Sequence, residues 1–553
     1  MSARVVEENS AHKANAVGRR CGPWLGPPCV IVLVAVAAVV PMFVIGIPSG
    51  HDLEFHITSW MEVVEQWKQG IVYPRWASGA HFGFGEARFL LYPPASWLLG
   101  ALLGLALPWP FAPAAYVLIA LLLAGCSSFY LARQFLAPRD ATFAAAFYAV
   151  NPYHLIIIYW RSAFAELLAS CLLPLLLLLV LHLEKSGKKM VVPLALLVAA
   201  GWLANAPSAV MINYSLALLV VLLTVLRRSP RLLAYGGSAV LLGAALAAFY
   251  VLPAAYEEKW VNIAQVLSPG VRPQDNFLFT TVADEDHNRF NLLVSLVALA
   301  EIALMLVLGF LVWHRRRETP QIWWPVFVWA AACVLLMLSP TLLLWQHLPE
   351  LRFVQLPWRW LLCLNVVLAL FMAVGARRWM WRAGVYVAAI AMLLFVGFKV
   401  QPPWWDSSED IIELHDNIVE GRGYEGTDEY VPAGADASET VRDAPKVAVE
   451  DGGRARVNLE QWGPESKLFT VAVSQPTRLV VHLFNYPAWR VEVNGQRVPA
   501  GSEEKTGQMI IPIPAGVDRV QVRFVRTWDR KLAAAVSLST LLLMVGLAIY
   551  FDG

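Results

Sequence analysis

The chain has 553 residues, of which 58% are hydrophobic and 15% are charged, and its formal net charge at pH 7 is +2. Soluble proteins carry roughly 25% charged residues, so this composition indicates a membrane protein rather than one soluble core. The small net charge, and the lack of a basic patch interleaved with aromatic residues, argue against a nucleic-acid partner.

Apolar stretches of helical length recur along the first 400 residues and once more near the C-terminus. Because a helix needs about 20 residues to cross a bilayer core, the pattern predicts an α-helical polytopic membrane protein with about 12 to 14 transmembrane helices. The predicted spans are residues 29–47, 92–107, 113–131, 141–160, 165–183, 191–203, 207–226, 235–255, 291–313, 323–338, 357–376, 383–399 and 532–550.

Basic loops predict the orientation, since short cytoplasmic loops are rich in Lys and Arg. The clusters are Lys185, Lys188 and Lys189; Arg227, Arg228 and Arg231; Arg315, Arg316 and Arg317; and Arg377, Arg378 and Arg382. With these on one side, the N-terminal tail 1–28 is cytoplasmic and residues 400–531 are extracytoplasmic, in a multi-pass protein of the inner cell membrane. Arg133 and Arg139 disturb the alternation, so either residues 92–107 form a re-entrant or partial helix, or a later boundary is wrong.

The first outer loop, residues 48–91, begins with His51-Asp52-Leu53-Glu54-Phe55-His56. The pattern over 53–68 predicts an interfacial amphipathic helix. Asp52 and His56 are four residues apart and therefore share one helix face. A carboxylate and an imidazole so placed can bind a divalent cation or orient a nucleophile's proton. The alternative is that Asp52 is the N-cap of the helix and the histidines are ordinary interfacial residues.

Two arginines at the ends of apolar segments are candidate phosphate ligands. Arg161 precedes the span at 165–183, and Arg359 begins the span at 357–376 in the segment Arg352-Phe353-Val354-Gln355-Leu356-Pro357-Trp358-Arg359. The planar fork of a guanidinium suits two-point phosphate binding. The alternative is that both side chains extend to the membrane interface without a ligand.

Glu301 lies near the middle of the predicted span 291–313. A charged carboxylate at that depth is unfavourable, so Glu301 must be protonated, paired or turned towards a polar cavity. This feature favours a transport function, and structural pairing is the alternative.

The multi-span membrane domain is predicted over 29–399, and residues 400–443 form an extracytoplasmic linker. Alternating hydrophobicity over 444–531, with a hairpin turn at Asn494-Gly495, predicts a small extracytoplasmic antiparallel β-sandwich. Residues 532–553 form the C-terminal anchor. The β-domain has three possible roles: binding glycan, capping an active site, or stabilising the protein.

Three motifs carry a resemblance to a known family: His51-Asp52-Leu53-Glu54-Phe55-His56, Gln355-Leu356-Pro357-Trp358-Arg359 and Glu429-Tyr430-Val431-Pro432. They resemble the bacterial integral membrane proteins called 6-pyruvoyl-tetrahydropterin synthase-related, a title that does not imply pterin chemistry. Residues 484–495 are similar to the C-terminal domain of YfhO-type membrane glycosyltransferases, although Ala488 replaces a glycine of that pattern.

The resemblance implies a GT-C-like glycosyltransferase that moves a sugar from a polyprenyl-phosphate donor to a glycan or envelope acceptor at the extracytoplasmic face. An acidic residue of the first outer loop is then the catalytic base or a metal ligand, which falls on Asp52. The candidate substrate and phosphate ligands are Arg359, Arg352, Gln355, Arg161 and His56. The candidate ligands of a divalent metal, Mg or Mn, are Asp52, His56 and Glu54, and Glu54, Glu62 and Glu65 compete as the second acid.

Two other function classes stay open. A transporter or flippase of lipid-linked intermediates would depend on Glu301 and tolerate a change at Asp52. A non-catalytic envelope scaffold would tolerate both changes and would bind its partner through residues 400–531.

Overall fold

A computed structural model describes residues 26–314, 323–376 and 378–552. Most of the predicted cytoplasmic tail lies outside these ranges, as do Arg315, Arg316, Arg317 and Arg377 of the basic clusters. The α-helices are Pro27–Val44, Leu53–Lys68, Ala80–Gly83, Arg88–Leu91, Pro94–Ala106, Ala112–Ala132, Pro138–Ala149, Pro152–Ile156, Phe164–Ser170, Leu172–Ser186, Val191–Ala204, Ala206–Arg227, Pro230–Leu246, Ala248–Glu257, Glu285–His314, Trp323–Leu336, Leu342–His347, Leu361–Gly375, Trp379–Val400, Ser408–Val419 and Trp528–Asp552.

Nine helical segments in the described ranges are long and apolar enough to cross a membrane, or up to eleven if each of two bent helix pairs counts as one span. The protein is therefore a polytopic helical membrane protein, as the composition predicted. The expected number of about 12 to 14 spans is higher for two reasons. The apolar runs predicted separately at 165–183 and 191–203 form one helical run, Phe164–Ala204, and the helix at the predicted span 92–107, Pro94–Ala106, is too short to count as a span. Gly187, with φ of 56°, marks the turn within this run.

The helix Pro94–Ala106 lies at the predicted span 92–107, where the alternation of basic loops failed by one span. It has 13 residues, whereas a bilayer core needs about 20. The helix begins at Pro94, two residues after the predicted start of the span at 92. Tyr92 is extended, and proline is favoured in the first turn of a helix. A partial helix at this position is therefore what the structure contains.

The first outer loop contains a helix at Leu53–Lys68, the range that its residue pattern predicted. Its surroundings differ from the prediction of an interfacial helix, because most of its side chains are buried, including Trp60, Glu62 and Gln66. The helix packs against Pro94–Ala106 on one side and Ser408–Val419 on another. The aromatic residues that suggested a membrane interface are instead part of the protein core.

The described ranges contain eleven β-strands, and the first two form a small antiparallel pair: β1 (Ile47–Pro48) and β2 (Trp405–Asp406). This pair ties the start of the first outer loop to the start of the predicted linker. The other strands are β3 (Val447–Val449), β4 (Arg456–Trp462), β5 (Ser466–Val473), β6 (Thr477–Phe484), β7 (Trp489–Val493), β8 (Gln496–Val498), β9 (Gly501–Ser502), β10 (Gln508–Ile513) and β11 (Gly516–Phe524).

Strands β3 to β11 form two antiparallel sheets, with strand orders β3-β6-β10-β9 and β4-β5-β11-β7-β8. Alternate residues of both sheets point into one apolar core, as in Phe469 and Val471 of β5 and Leu479 and Val481 of β6. The predicted Asn494-Gly495 turn joins β7 to β8, with both residues at positive φ. Trp76 and Phe84 of the first outer loop belong to the same core, so the β-domain packs directly on that loop.

Candidate functional site

The first outer loop is fixed to the turn that follows the fourth predicted span. Gly50 N donates to Ser162 Oγ (3.0 Å), Ser162 Oγ donates to Pro48 O (2.7 Å), and Asp52 N donates to Arg161 O (2.9 Å). A side chain at Gly50 would overlap the backbone of Arg161, so the close approach requires glycine. The sequence positions of Asp52 and Arg161 are thus brought together by backbone contacts.

Asp52 immediately precedes the helix Leu53–Lys68, yet its carboxylate makes no capping hydrogen bond to that helix. The Oδ2 atom lies 3.8 Å from Nη2 of Arg161, and the side chain is 41% exposed. Asp52 therefore occupies the N-cap position, as the alternative predicted, but its side chain does not cap the helix. The carboxylate is left accessible to a ligand beside a buried cation.

Glu166 is the centre of a buried ion cluster behind Asp52. Its Oε2 accepts from Nη1 of Arg161 and, at 3.0 Å, from Nε of Arg359, and its Oε1 accepts from Tyr153 OH (2.7 Å). Glu166 is 1% exposed. One buried carboxylate therefore holds the two arginines that the sequence suggested separately as phosphate ligands.

Local backbone geometry fixes both guanidinium groups. Arg161 ends a π-helical turn at Ile157–Arg161, and Ser162 follows in the left-handed region with φ of 51°. Arg359 lies in the 3-10 turn Pro357–Trp360 and donates from Nη1 to Val354 O (2.7 Å) and Gln355 Oε1 (3.1 Å). π-turns and left-handed residues are frequent at functional sites because they re-aim side chains.

The charges of this cluster favour binding of an anion. Two buried guanidinium groups share one buried carboxylate, and the second acid, Asp52, is half-exposed and more distant. Arg161 also lies over the Trp358 ring, 4.9 Å from its centroid. Buried cations that are only partly neutralised bind phosphate or carboxylate groups strongly, because charge-assisted hydrogen bonds strengthen away from water.

The other candidate ligands are placed differently. His56 is buried among the rings of Phe55, Trp60, Tyr92 and Phe164, and burial lowers the pKa of His56 to about 4. Its imidazole is therefore neutral at pH 7. Arg352 is exposed beside the Phe353 ring and makes no ion pair with the described residues of the cluster.

The proposed metal ligands Asp52, Glu54 and His56 do not converge. Over residues 26–314, 323–376 and 378–552, no three His, Cys, Asp or Glu side chains are grouped to hold a metal ion. Asp52 is half-exposed and Glu54 is exposed, whereas His56 points into the aromatic core. A divalent-metal mechanism gains no ligand set from these residues.

Glu301 is buried inside its helix bundle. Asn365 Nδ2 donates to Glu301 Oε2 (2.8 Å), and the side-chain oxygens Glu301 Oε1 and Asn365 Oδ1 have no hydrogen-bond partner within the described part of the chain. Asn365 is therefore a hydrogen-bonding partner of Glu301, and one oxygen of each side chain is left without a partner in the described ranges. Glu301 is not a member of the Asp52 cluster.

A second buried polar network joins the first outer loop to the linker, and sequence reasoning missed it. Glu86 pairs with Arg88 and accepts from Thr427 N (2.9 Å), while Glu62 Oε2 accepts from Tyr424 OH (2.5 Å). Burial would raise the pKa of Glu86, but Arg88 and His81 outweigh it and hold that pKa well below its usual range. The sequence signal for this network was the group of ionisable residues Glu62, Glu86 and Arg88 between two apolar segments.

Glu429, in the Glu429-Tyr430-Val431-Pro432 motif, borders this network. Burial, together with the charge of Glu86, raises the pKa of Glu429 from 4.5 to about 7. The folded protein then holds a proton that the unfolded chain loses near pH 4.5. We expect this group to stabilise the fold at low pH, and its contribution to be lost as the pH rises from about 4.5 to 7.

The test compares thermal unfolding midpoints of the native protein and Glu429→Gln between pH 5 and pH 8. The amide cannot lose a proton, so the difference in midpoint should shift in favour of the variant as the pH rises. A matched control is Glu439→Gln, an exposed acid of the same linker. A difference between Glu429→Gln and native protein that does not change with pH would contradict the prediction.

These features define a class: a polytopic helical membrane protein with a small β-domain and a buried arginine–glutamate cluster beneath its first outer loop. The chain belongs to the family of membrane proteins described as 6-pyruvoyl-tetrahydropterin synthase related domain, whose model matches residues 89–402. The sequence resemblance to this family is thereby confirmed. The matched range contains Arg161, Glu166, Glu301 and Arg359, and it leaves out Asp52 and the β-domain.

The structure is similar to solved structures of the oligosaccharyltransferase of Archaeoglobus fulgidus. For the apo form the TM-score is 0.39 at 13% identity, over 72% of this chain and 56% of that chain. For the complex with Zn and sulfate the TM-score is 0.41 at 13% identity, over 73% of this chain and 57% of that chain. For the same enzyme with an inhibitory peptide and a dolichol-phosphate the TM-score is 0.39 at 13% identity, over 72% of this chain and 56% of that chain. This chain thus spans less than two thirds of the length of these proteins.

The comparison with curated protein sequences gave no match.

Proposed function

We propose that the protein is a GT-C-like membrane glycosyltransferase that moves a sugar from a polyprenyl-phosphate donor to a glycan or other envelope acceptor. The reaction takes place at the extracytoplasmic face, where the basic-loop pattern places the first outer loop and residues 400–531. The observation that carries the proposal is the accessible Asp52 carboxylate, 3.8 Å from Arg161, in front of the buried Glu166 cluster.

The site supplies the two groups that sugar transfer from a phosphate needs. Asp52 accepts the proton of an acceptor hydroxyl while the hydroxyl oxygen forms a bond to the anomeric carbon. The bond from that carbon to the phosphate oxygen breaks, and the lipid phosphate leaves with the electron pair. Because the Asp52 side chain is 41% exposed, the proton can then pass to water.

The leaving phosphate binds to the arginine pair. Arg161 lies between Asp52 and Glu166, and Arg359 is held by Glu166, Val354 O and Gln355 Oε1. Guanidinium groups fixed in advance stabilise charge that develops on the leaving oxygen, without reorganising during the reaction. Gln355 therefore acts as a positioning residue for Arg359.

The predicted division of the chain is part of this proposal. The membrane domain at 29–399 holds the reacting groups, the linker 400–443 covers the first outer loop, and the β-domain 444–531 faces the acceptor. Residues 532–553 anchor that domain.

The test incubates the full-length protein, reconstituted in lipid, with a panel of polyprenyl-phosphate sugars and measures release of free lipid phosphate. Release from at least one donor, which disappears in Asp52→Asn, is the expected result. If a folded protein releases lipid phosphate from no donor, with or without added acceptor glycans, the proposal is wrong.

A second candidate function, transport of lipid-linked intermediates, is favoured by the buried Glu301–Asn365 pair. Its two oxygens without partners would suit a carboxyl group that gains and loses a proton inside the membrane. The variant Glu301→Gln separates the two functions in the same vesicles. Loss of lipid translocation in Glu301→Gln, with translocation kept in Asp52→Asn, would favour transport. Unchanged translocation in Glu301→Gln would exclude this role.

A further inference from the structure

Four basic side chains lie where the β-domain meets the first outer loop, and none of them contributes to the Asp52 cluster. We refer to Arg442, Lys446, Lys467 and His482 as the basic seam. Lys446 Nζ lies beside Gly83 of the loop, and His482 Nε2 lies 3.1 Å from Phe82 O. The Arg442 guanidinium lies over the Phe82 ring, 3.8 Å from its centroid.

Burial, without an acid in ion-pair contact, lowers the pKa of three seam members, Lys446, Lys467 and His482. In the described ranges, none of its four members forms an ion pair with an acid. The acids that influence Lys467, Glu62 and Glu465, are already used: Glu62 accepts from Tyr424 OH and Glu465 pairs with Arg75. A group of cations without counter-charges destabilises a fold unless a ligand neutralises it.

Lys467 is the most informative member, because it is 2% exposed. It donates to two backbone carbonyls, Gly463 O (2.6 Å) and Pro464 O (3.1 Å), and to no carboxylate. Burial and the neighbouring Lys446 lower the pKa of Lys467 to about 7. Burial disfavours the charged form of a lysine that has no acidic partner, and an anion bound nearby would favour that form.

His482 points to the same conclusion. Its Nδ1 lies 3.1 Å from Ala444 O and its Nε2 lies 3.1 Å from Phe82 O. A neutral imidazole has one N–H and can satisfy only one of these carbonyls, whereas the doubly protonated ring satisfies both. A bound anion would favour that form.

Aromatic rings line the seam together with the cations. The Trp462 centroid lies 6.0 Å from Lys446 Nζ and 5.8 Å from Lys467 Nζ, and both Trp462 and Phe82 are partly exposed. The turn His81-Phe82-Gly83 has three consecutive positive φ values, of 49°, 56° and 101°. Such strain persists where surrounding contacts hold it in place, and here it presents the Phe82 ring and carbonyl to the seam.

We propose that the basic seam is a binding site for the anionic group, carboxylate or phosphate, of a saccharide, with Arg442 and Lys446 as ligands and Trp462 and Phe82 as the apolar walls. Binding sites of this kind combine aromatic walls with a few fixed polar groups. A saccharide fits better than a lipid head group because all six residues come from the β-domain, the linker and the loop, and none lies in a candidate span. That the ligand is the acceptor of the transfer rests on the proposed function.

The test measures binding of a short oligogalacturonate, a phosphorylated oligosaccharide of the same length and a neutral oligosaccharide to the full-length protein in detergent. We expect the anionic sugars to bind and the neutral sugar to bind about ten-fold more weakly or not at all. Arg442→Ala and Lys446→Ala should each weaken anionic binding by about ten-fold, since each removes a charge-assisted hydrogen bond. Arg497→Ala and Lys505→Ala, two exposed cations elsewhere in the β-domain, are the matched controls and should bind normally.

Binding should also survive in Asp52→Asn, so that failure of the transfer mechanism and failure of this site are distinguishable. Three results would overturn the inference. Anionic and neutral sugars could bind equally, or inorganic phosphate could displace the sugar at a similar concentration, which would indicate a simple anion site. Alternatively, phosphatidylglycerol vesicles could bind through Arg442 and Lys446 while the saccharides do not, which would indicate a lipid contact.

Discussion

Asp52→Asn is expected to lower the rate of lipid-phosphate release by about 10² to 10⁴-fold, the range for removing a positioned general base. The amide has the shape of the carboxylate but cannot accept the acceptor's proton. Donor binding should be unchanged or slightly tighter, because the substitution removes a negative charge 3.8 Å from the arginine that binds phosphate. The loss therefore belongs to kcat rather than to KM.

The fold should tolerate this substitution. Asp52 is 41% exposed, makes no capping bond, and its pair with Arg161 is long, so it resembles a surface ion pair worth about 0 to 1 kcal/mol. The matched control is Glu65→Gln, which neutralises a carboxylate of the same helix that pairs with Lys68 and His415. Control activity should equal that of the native protein. Native turnover in Asp52→Asn would remove Asp52 from the mechanism.

Local signals in the sequence were sufficient for several elements. An amphipathic helical pattern predicted the helix Leu53–Lys68, alternation of apolar and polar residues predicted the strands of the β-domain, and Asn494-Gly495 predicted its hairpin. These features depend on contacts between residues close in the chain, which a periodic pattern records. The predicted position of Leu53–Lys68 at the membrane interface was wrong, because helices from distant parts of the chain cover it.

Spatial convergence was harder to predict than residue chemistry. Arg161 and Arg359 were each predicted as candidate phosphate ligands, but nothing local shows that Glu166 also contacts Arg359, which lies 193 residues further along the chain. In the sequence, Glu166 lies at the start of the predicted span 165–183. An ionisable residue within a membrane segment is a functional candidate by default, and this holds for Glu166 as it does for Glu301.

The same reasoning explains why the structure does not bring His56 together with the other proposed metal ligands. Spacing of four residues placed Asp52 and His56 on one helix face, but a helix face can point into a core. The neighbours of His56 include the rings of Tyr92 and Phe164 from two other segments, so its surroundings are decided by tertiary packing. No periodicity in residues 51–56 contains that information.

Glu166→Gln is expected to destabilise the protein by roughly 3 to 5 kcal/mol, the usual result of removing one partner from a buried ion cluster. The substitution leaves Arg161 and Arg359 without their shared carboxylate while keeping the shape of the side chain. Asp52 remains near Arg161, so Arg359 is the cation left most exposed to repulsion. The thermal unfolding midpoint of the purified protein in detergent measures the effect.

A double variant shows whether charge, rather than packing, causes this loss. In Glu166→Gln with Arg359→Gln, one unpaired cation is removed together with the acid, so the double variant should be more stable than the sum of the single changes predicts. Arg359→Gln alone leaves Glu166 paired with Arg161 and should be the milder single change. If the two effects simply add, Glu166 does not hold Arg359 by charge, and Arg359 would have to be positioned by Val354 O and Gln355 alone.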